Sequence, residues 1–131
     1  MSFDWKSGAL AEGIRCYRNQ EFWNAHEHWE SVWLRLEEPK KTFLQSLIQI
    51  SAAFHHWQNG NARGTVSLLR RALGRLESYP AEFGGVDLTQ LRKEAGEWLV
   101  AVESGPGSLP ATFPEILRAD RATEPARKTG R

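Results

Sequence analysis

The sequence predicts an all-α fold, a compact bundle of about five helices with the third helix central and buried between its neighbours. Three observations predict it. Apolar residues recur at three- and four-residue spacings along most of the chain, and no segment of strand length alternates cleanly between apolar and polar. Helix-stopping residues divide the chain: Pro39, Asn59-Gly60, Pro80, Gly84-Gly85 and Ser104-Gly105-Pro106. A run from Thr42 to Ala62 contains no Asp, Glu, Lys or Arg. A helix facing water over that length would carry some, so this one is covered nearly all round.

The elements follow in order. The first helix spans about Ser7 to Arg18, with Leu10, Ile14 and Tyr17 on one face. The second runs from about Glu21 to Glu37, where Pro39 ends it, because a proline disfavours helical geometry in the residue before it. The third runs from about Lys41 to Gln58 and closes at Asn59-Gly60, a pair suited to a left-handed C-terminal cap. Asn61 caps the fourth, which continues to about Ser78 with Val66, Leu69, Ala72, Leu73 and Leu76 as its apolar stripe. Asp87, with Gln90 three residues on, reads as a capping box for the fifth, which carries Leu88, Leu91, Ala95, Trp98, Leu99 and Val102. Residues 1–104 thus form a single helical domain. Residues 105–131 form a tail containing Pro, Gly and Arg, expected to be largely mobile, with Phe113, Ile116 and Leu117 as one apolar anchor.

Composition narrows the function classes. A chain of 131 residues is one domain, and its single cysteine excludes an internal disulfide and fits a reducing compartment. Lys and Arg total 17 against 16 Asp and Glu, a net charge of +1 that gives no general attraction to nucleic acid or an anionic membrane. No apolar segment follows a basic start at the N-terminus, so the expected location is cytoplasmic. The uncharged run is long enough to span a bilayer, but Gln45, Gln49, His55, His56, Gln58, Asn59 and Asn61 inside it would each be costly in lipid. Six tryptophans exceed what a small core needs. Trp5 and Trp98 are therefore candidates for an interface, and a homo-oligomer stays open.

The second helix carries the chemistry. At about 100° per residue, Phe22, Ala25, Trp29, Val32 and Leu36 form the core stripe, and Asn24, His28, Ser31 and Arg35 fall opposite. Between them lies a third strip: Trp23, His26, Glu30, Trp33, Leu34 and Glu37, with Glu27 at its edge. A histidine and a carboxylate interleaved with two tryptophans are not an ordinary solvated face. His26 and Glu30 are one turn apart, so one metal ion can take both as ligands. The string His26-Glu27-His28-Trp29-Glu30 partly matches the zinc-protease pattern H-E-x-x-H, with a carboxylate replacing the second histidine and Glu27 in the place of the base. The structural alternative is that His26 ties neighbouring helices together through a hydrogen bond.

On the third helix, Gln45, Gln49, Ala52 and His56 share an arc away from the main core stripe of Phe43, Leu47, Ile50, Phe54 and Trp57. If this helix is covered, those polar groups need partners, and the polar strip of the second helix is the natural source. The resulting constellation has His26, Glu30 and His56 as ligands to one divalent transition metal, Zn, Fe or Mn, with Glu27 as the catalytic proton acceptor. Gln45, Gln49, Asn61, Trp23 and Trp33 would line the pocket and hold a small molecule.

The stretches FWNAHEHWESVW and LQSLIQISAAFHHWQNGNARG resemble the two signature segments of the domain-of-unknown-function family numbered 309, over about Asn19 to Leu99. That family consists of small, all-helical, mostly bacterial and archaeal proteins described as predicted metal-dependent hydrolases. The resemblance implies functional roles for His26, Glu27, Glu30, Gln49, His56, Asn61 and Gly64. Ser46 stands where the family usually has glycine, and Thr65 where alanine usually follows Gly64. Asn61 and Gly64 also have a purely structural explanation, as a helix cap and a point of close approach.

Three functions are consistent with these residues. The first is a metal-dependent enzyme, a hydrolase of unknown substrate. The second is a non-catalytic module binding a small molecule through the same pocket. The third is a helical interaction protein whose polar cluster is a core network. Cys16 lacks a positioned base, and no nucleophile elbow, phosphate loop or dinucleotide fingerprint is present.

Overall fold

Why five helices pack in chain order is set by their stripes. The computed structural model describes residues 3–105, 107 and 109–117; of the 105–131 tail expected to be largely mobile, 118–131 lies outside them. The helices are α1 (Gly8–Arg18), α2 (Phe22–Trp33), α3 (Lys40–Gln58), α4 (Ala62–Leu76) and α5 (Leu88–Ser104). Each packs on its chain neighbours, so α3 lies between α2 and α4. Among the described residues no helix is long and apolar enough to cross a membrane.

The α3 stripe supplies the centre of the core. Phe43, Leu44, Leu47, Ile50, Ala53 and Phe54 have no solvent exposure. Each large apolar side chain buried this way contributes about 1.5–3 kcal/mol. Two buried hydroxyls of α3 are satisfied: Ser51 Oγ donates to the Phe22 carbonyl of α2 at 2.6 Å, and Ser46 Oγ folds back on the Thr42 carbonyl at 3.0 Å. Thr65, also buried, donates to the Ala53 carbonyl at 3.2 Å and so ties α4 to α3.

The α1–α2 contact depends on a glycine. Trp29 is fully buried, and a Cβ on Gly13 would lie 2.1 Å from its Nε1. Only glycine lets the indole lie against α1, where Nε1 donates to the Leu10 carbonyl at 3.3 Å. The turn into α2 is tight: Gln20 N donates to Tyr17 O at 2.9 Å and Glu21 N to Cys16 O at 2.8 Å. Gln20 takes the left-handed position of this cap at φ 62°, where glycine is usual. Left-handed backbone costs an L side chain about 1–2 kcal/mol.

Three expectations need correction. The second helix stops at Trp33, not near Glu37. Residues 34–39 turn instead, through short bonds from Arg35 N to Val32 O and Leu36 N to Trp33 O, so Leu36 and Glu37 leave the helical strip. The capping box is half formed: Asp87 Oδ1 accepts from Gln90 N at 3.0 Å, but the Gln90 side chain turns to Glu94 at 2.6 Å. The loop at Gly84-Gly85 is a small antiparallel hairpin of β1 (Glu82–Phe83) and β2 (Val86–Asp87), too short for an alternating pattern to reveal. Both glycines have positive φ, as a two-residue hairpin turn demands.

Trp5 and Trp98, candidates for an interface, serve the interior. Trp5 Nε1 donates to the Gly84 carbonyl at 2.7 Å. Trp98 is 4% exposed, packs edge-on against Phe54, and stacks on Phe113 at 4.9 Å. Phe113 also meets Phe22 and Phe54, and Ile116 and Leu117 are buried. Residues 109–117 therefore lie as a strap across α1 and α5, held by Tyr17 Oη to the Pro114 carbonyl (2.7 Å) and Trp98 Nε1 to the Thr112 carbonyl (2.9 Å). Burial, reinforced by Glu94 and Glu115, pushes the Tyr17 hydroxyl far above the usual tyrosine range.

Candidate functional site

The candidate polar residues separate into two groups. One sits at the α3–α4 junction. Gly60 takes a left-handed φ of 76°, and Asn61 N returns to the His56 carbonyl at 2.8 Å, so the chain reverses directly into α4. Asn61 Oδ1 then accepts from Gly64 N at 2.9 Å and caps α4. That bond fixes the amide: the oxygen faces Gly64, so Nδ2 faces His56 Nδ1 at 3.2 Å and donates to it. A neutral His56 in this arrangement holds its proton on Nε2. A Cβ on Gly64 would lie 2.7 Å from Asn61 Nδ2 and 3.1 Å from His56 Cγ, so glycine is required for the cluster to close.

The second group lies on α2. His26 and Trp33 are seven residues apart, hence on one face and about 10 Å apart along the axis. His26 Nδ1 and Trp33 Nε1 are both buried without a hydrogen-bond partner among the described residues. Such a group costs about 1–3 kcal/mol unless something satisfies it. Trp23, 45% exposed, stacks on His26 at a ring separation of 4.5 Å and 20°. His55 of α3 approaches the same indole at 5.1 Å, which anchors the strip to α3. Lys41 Nζ lies 4.6 Å from the Trp33 ring centre, a cation–π contact. Glu27 and Glu30 are exposed, and their carboxylates make no ion pair or hydrogen bond among the described residues.

The predicted partnership between α2 and the α3 glutamines does not form. Gln49 Oε1 accepts from Arg75 Nε of α4 at 3.2 Å, and so Gln49 faces away from α2. Gln45 is half-buried and makes no side-chain hydrogen bond among the described residues. No three His, Cys, Asp or Glu side chains come together as a metal-ligand group among the described residues. His56 is turned to Asn61, while His26 and Glu30 remain on α2 as the spacing requires.

His55 is not among the candidate site residues that the sequence offers, nor is Asn59, its partner. Asn59 Nδ2 donates to the His55 carbonyl and lies 3.2 Å from His55 Nε2, which orients the imidazole against Trp23. The four-residue spacing of His55 and Asn59 was the available signal. Nothing in the sequence pointed to Arg75 as the partner of Gln49.

An uncharacterized protein of Aquifex aeolicus (strain VF5) is 31% identical over 98 residues, covering 73% of this chain. The chain spans 29% of that relative's length. Residues 10–68, which hold most of α1, all of α2 and α3 and the start of α4, match the model described as Domain of unknown function (DUF309). Both signature stretches fall within that match, over which the chain is similar to the DUF309 family.

Proposed function

We propose that the chain is a non-catalytic binding module that holds a small molecule on the outer strip of α2. The observation that carries this reading is the pair of buried, unpartnered nitrogens, His26 Nδ1 and Trp33 Nε1, on the same face as the exposed Trp23. The indole N–H is a donor only, so the ligand must offer an acceptor there. The imidazole nitrogen takes either role. The Trp23 ring supplies an apolar ledge, and the free carboxylates of Glu27 and Glu30 at the edge favour a ligand that also bears donors. Thermal melting of untagged protein against a panel of small amides and carboxylates, with chelator throughout, tests it. Stabilisation that survives chelation and disappears in His26→Leu is expected. A panel without effect, or an effect that persists in the variant, overturns it.

A second reading, a metal-dependent hydrolase, rests on the same free His26 nitrogen, with Glu30 one turn on as a second ligand and Glu27 as base. It ranks behind because His56 is turned to Asn61 rather than to His26 and Glu30. Elemental analysis of wild type and His26→Ala separates the two: near-stoichiometric Zn, Fe or Mn, lost in the variant, favours the hydrolase.

A further inference from the structure

The strap leaves a cavity of about 500 Å³ between itself, α1 and α5. The size is that of a small-molecule site. Its walls are largely apolar and aromatic, with Ile14, Trp98, Phe113 and Ile116 among them. Arg18 stands at the wall, where Nη2 donates to the Leu117 carbonyl at 2.6 Å. That bond orients the guanidinium and leaves its other donors free, because Arg18 has no ion pair among the described residues. Gln20 lines the same cavity from its left-handed position. A side chain kept where glycine is the relaxed choice points to a use for the amide.

We propose that this cavity binds a small monocarboxylate with an apolar, preferably aromatic, body. The carboxylate pairs with Arg18, the Gln20 amide donates to it, and the body lies against the Trp98–Phe113 wall. Glu115, also at the cavity, excludes dianions.

Phenylacetate and its neutral isostere phenylacetamide are the probes, titrated into the full chain while the Trp98 indole N–H is followed by NMR. Saturable shifts with phenylacetate are expected, with phenylacetamide at least tenfold weaker. Arg18→Gln, an exposed position whose melting temperature checks the fold, should weaken phenylacetate about tenfold or more and leave phenylacetamide unchanged. Gln20→Gly relaxes the backbone, so it should keep or raise the melting temperature while weakening phenylacetate. Equal binding of acid and amide, no binding of either, or Arg18→Gln without effect on phenylacetate overturns the proposal.

Discussion

The α3–α4 junction and the outer strip of α2 use the same kinds of residue to opposite ends. At the junction, the His56 ring, the Asn61 amide, the Gly64 N–H and the Thr65 hydroxyl bond to one another or to backbone. On α2, His26 and Trp33 bury polar nitrogens that have no hydrogen-bond partner among the described residues, and two carboxylates stand free beside them. A folded chain ordinarily pairs its buried polar groups. The junction therefore reads as a clasp that stabilises the fold. The strip reads as a surface that has kept its hydrogen-bonding capacity for something else. A signature set of polar residues is thus not one site: proximity in the motif does not decide which members hold the fold.

The sharpest way to break this comparison is to damage the clasp. Gly64→Ala places a Cβ 2.7 Å from Asn61 Nδ2, and the amide cannot move without losing the cap on α4. We expect a loss of about 1–3 kcal/mol by chemical denaturation. Asn61→Ala removes the cap and leaves His56 Nδ1 without its donor, for a loss of about 1 kcal/mol. Neither change should alter ligand binding at α2 once measured at a temperature where the variant is folded. Loss of binding in Asn61→Ala at full foldedness would merge the two regions into one site.

Much of the clasp and of the fold was legible because local chemistry determines it. Asn59-Gly60-Asn61 specifies a helix stop, a reversal and a new cap within three residues, and all three occur. The uncharged α3 sequence identified the central helix for the same reason: periodicity and charge are read directly from one element. What stayed hidden depends on rotation of one helix against another. The wheel placed Gln49 among polar groups, but only the α3–α4 packing decides that Arg75, twenty-six residues on, is the group it meets. The early end of α2 escaped notice because Leu34 and Leu36 continue the apolar spacing past the point where the backbone turns, leaving Leu34 67% exposed. Trp98 is a candidate for an interface in the sequence because nothing in its own helix announces a strap that crosses it from residues 109–117.

The strip responds in the other direction. His26→Leu replaces a buried, unpartnered nitrogen with apolar volume, which removes a desolvation penalty rather than a bond. Stability should hold or rise by up to about 1 kcal/mol. Trp33→Phe removes the second orphan and keeps a ring for Lys41, with a smaller change of either sign. Both should abolish or weaken small-molecule stabilisation. A loss above about 2 kcal/mol in His26→Leu would mean that the nitrogen does have a stabilising partner, and the strip would join the clasp as structure.

Trp23→Ala tests the same distinction at the smallest stability effect. The indole is 45% exposed, and its visible contacts are the ring of His26 at 4.5 Å and that of His55 at 5.1 Å. His55 is already held by Asn59, and His26 by its place on α2, so neither ring needs Trp23 to stay where it is. An exposed side chain outside the core changes stability by about 0.5 kcal/mol or less when truncated. A ledge for a ligand, by contrast, loses its contact area entirely. The expected outcome is an unchanged melting curve with the ligand-induced shift gone. A melting temperature that falls as far as in Asn61→Ala would show that the stacked rings brace α2 against α3, and the free nitrogens beneath them would then need another explanation than binding.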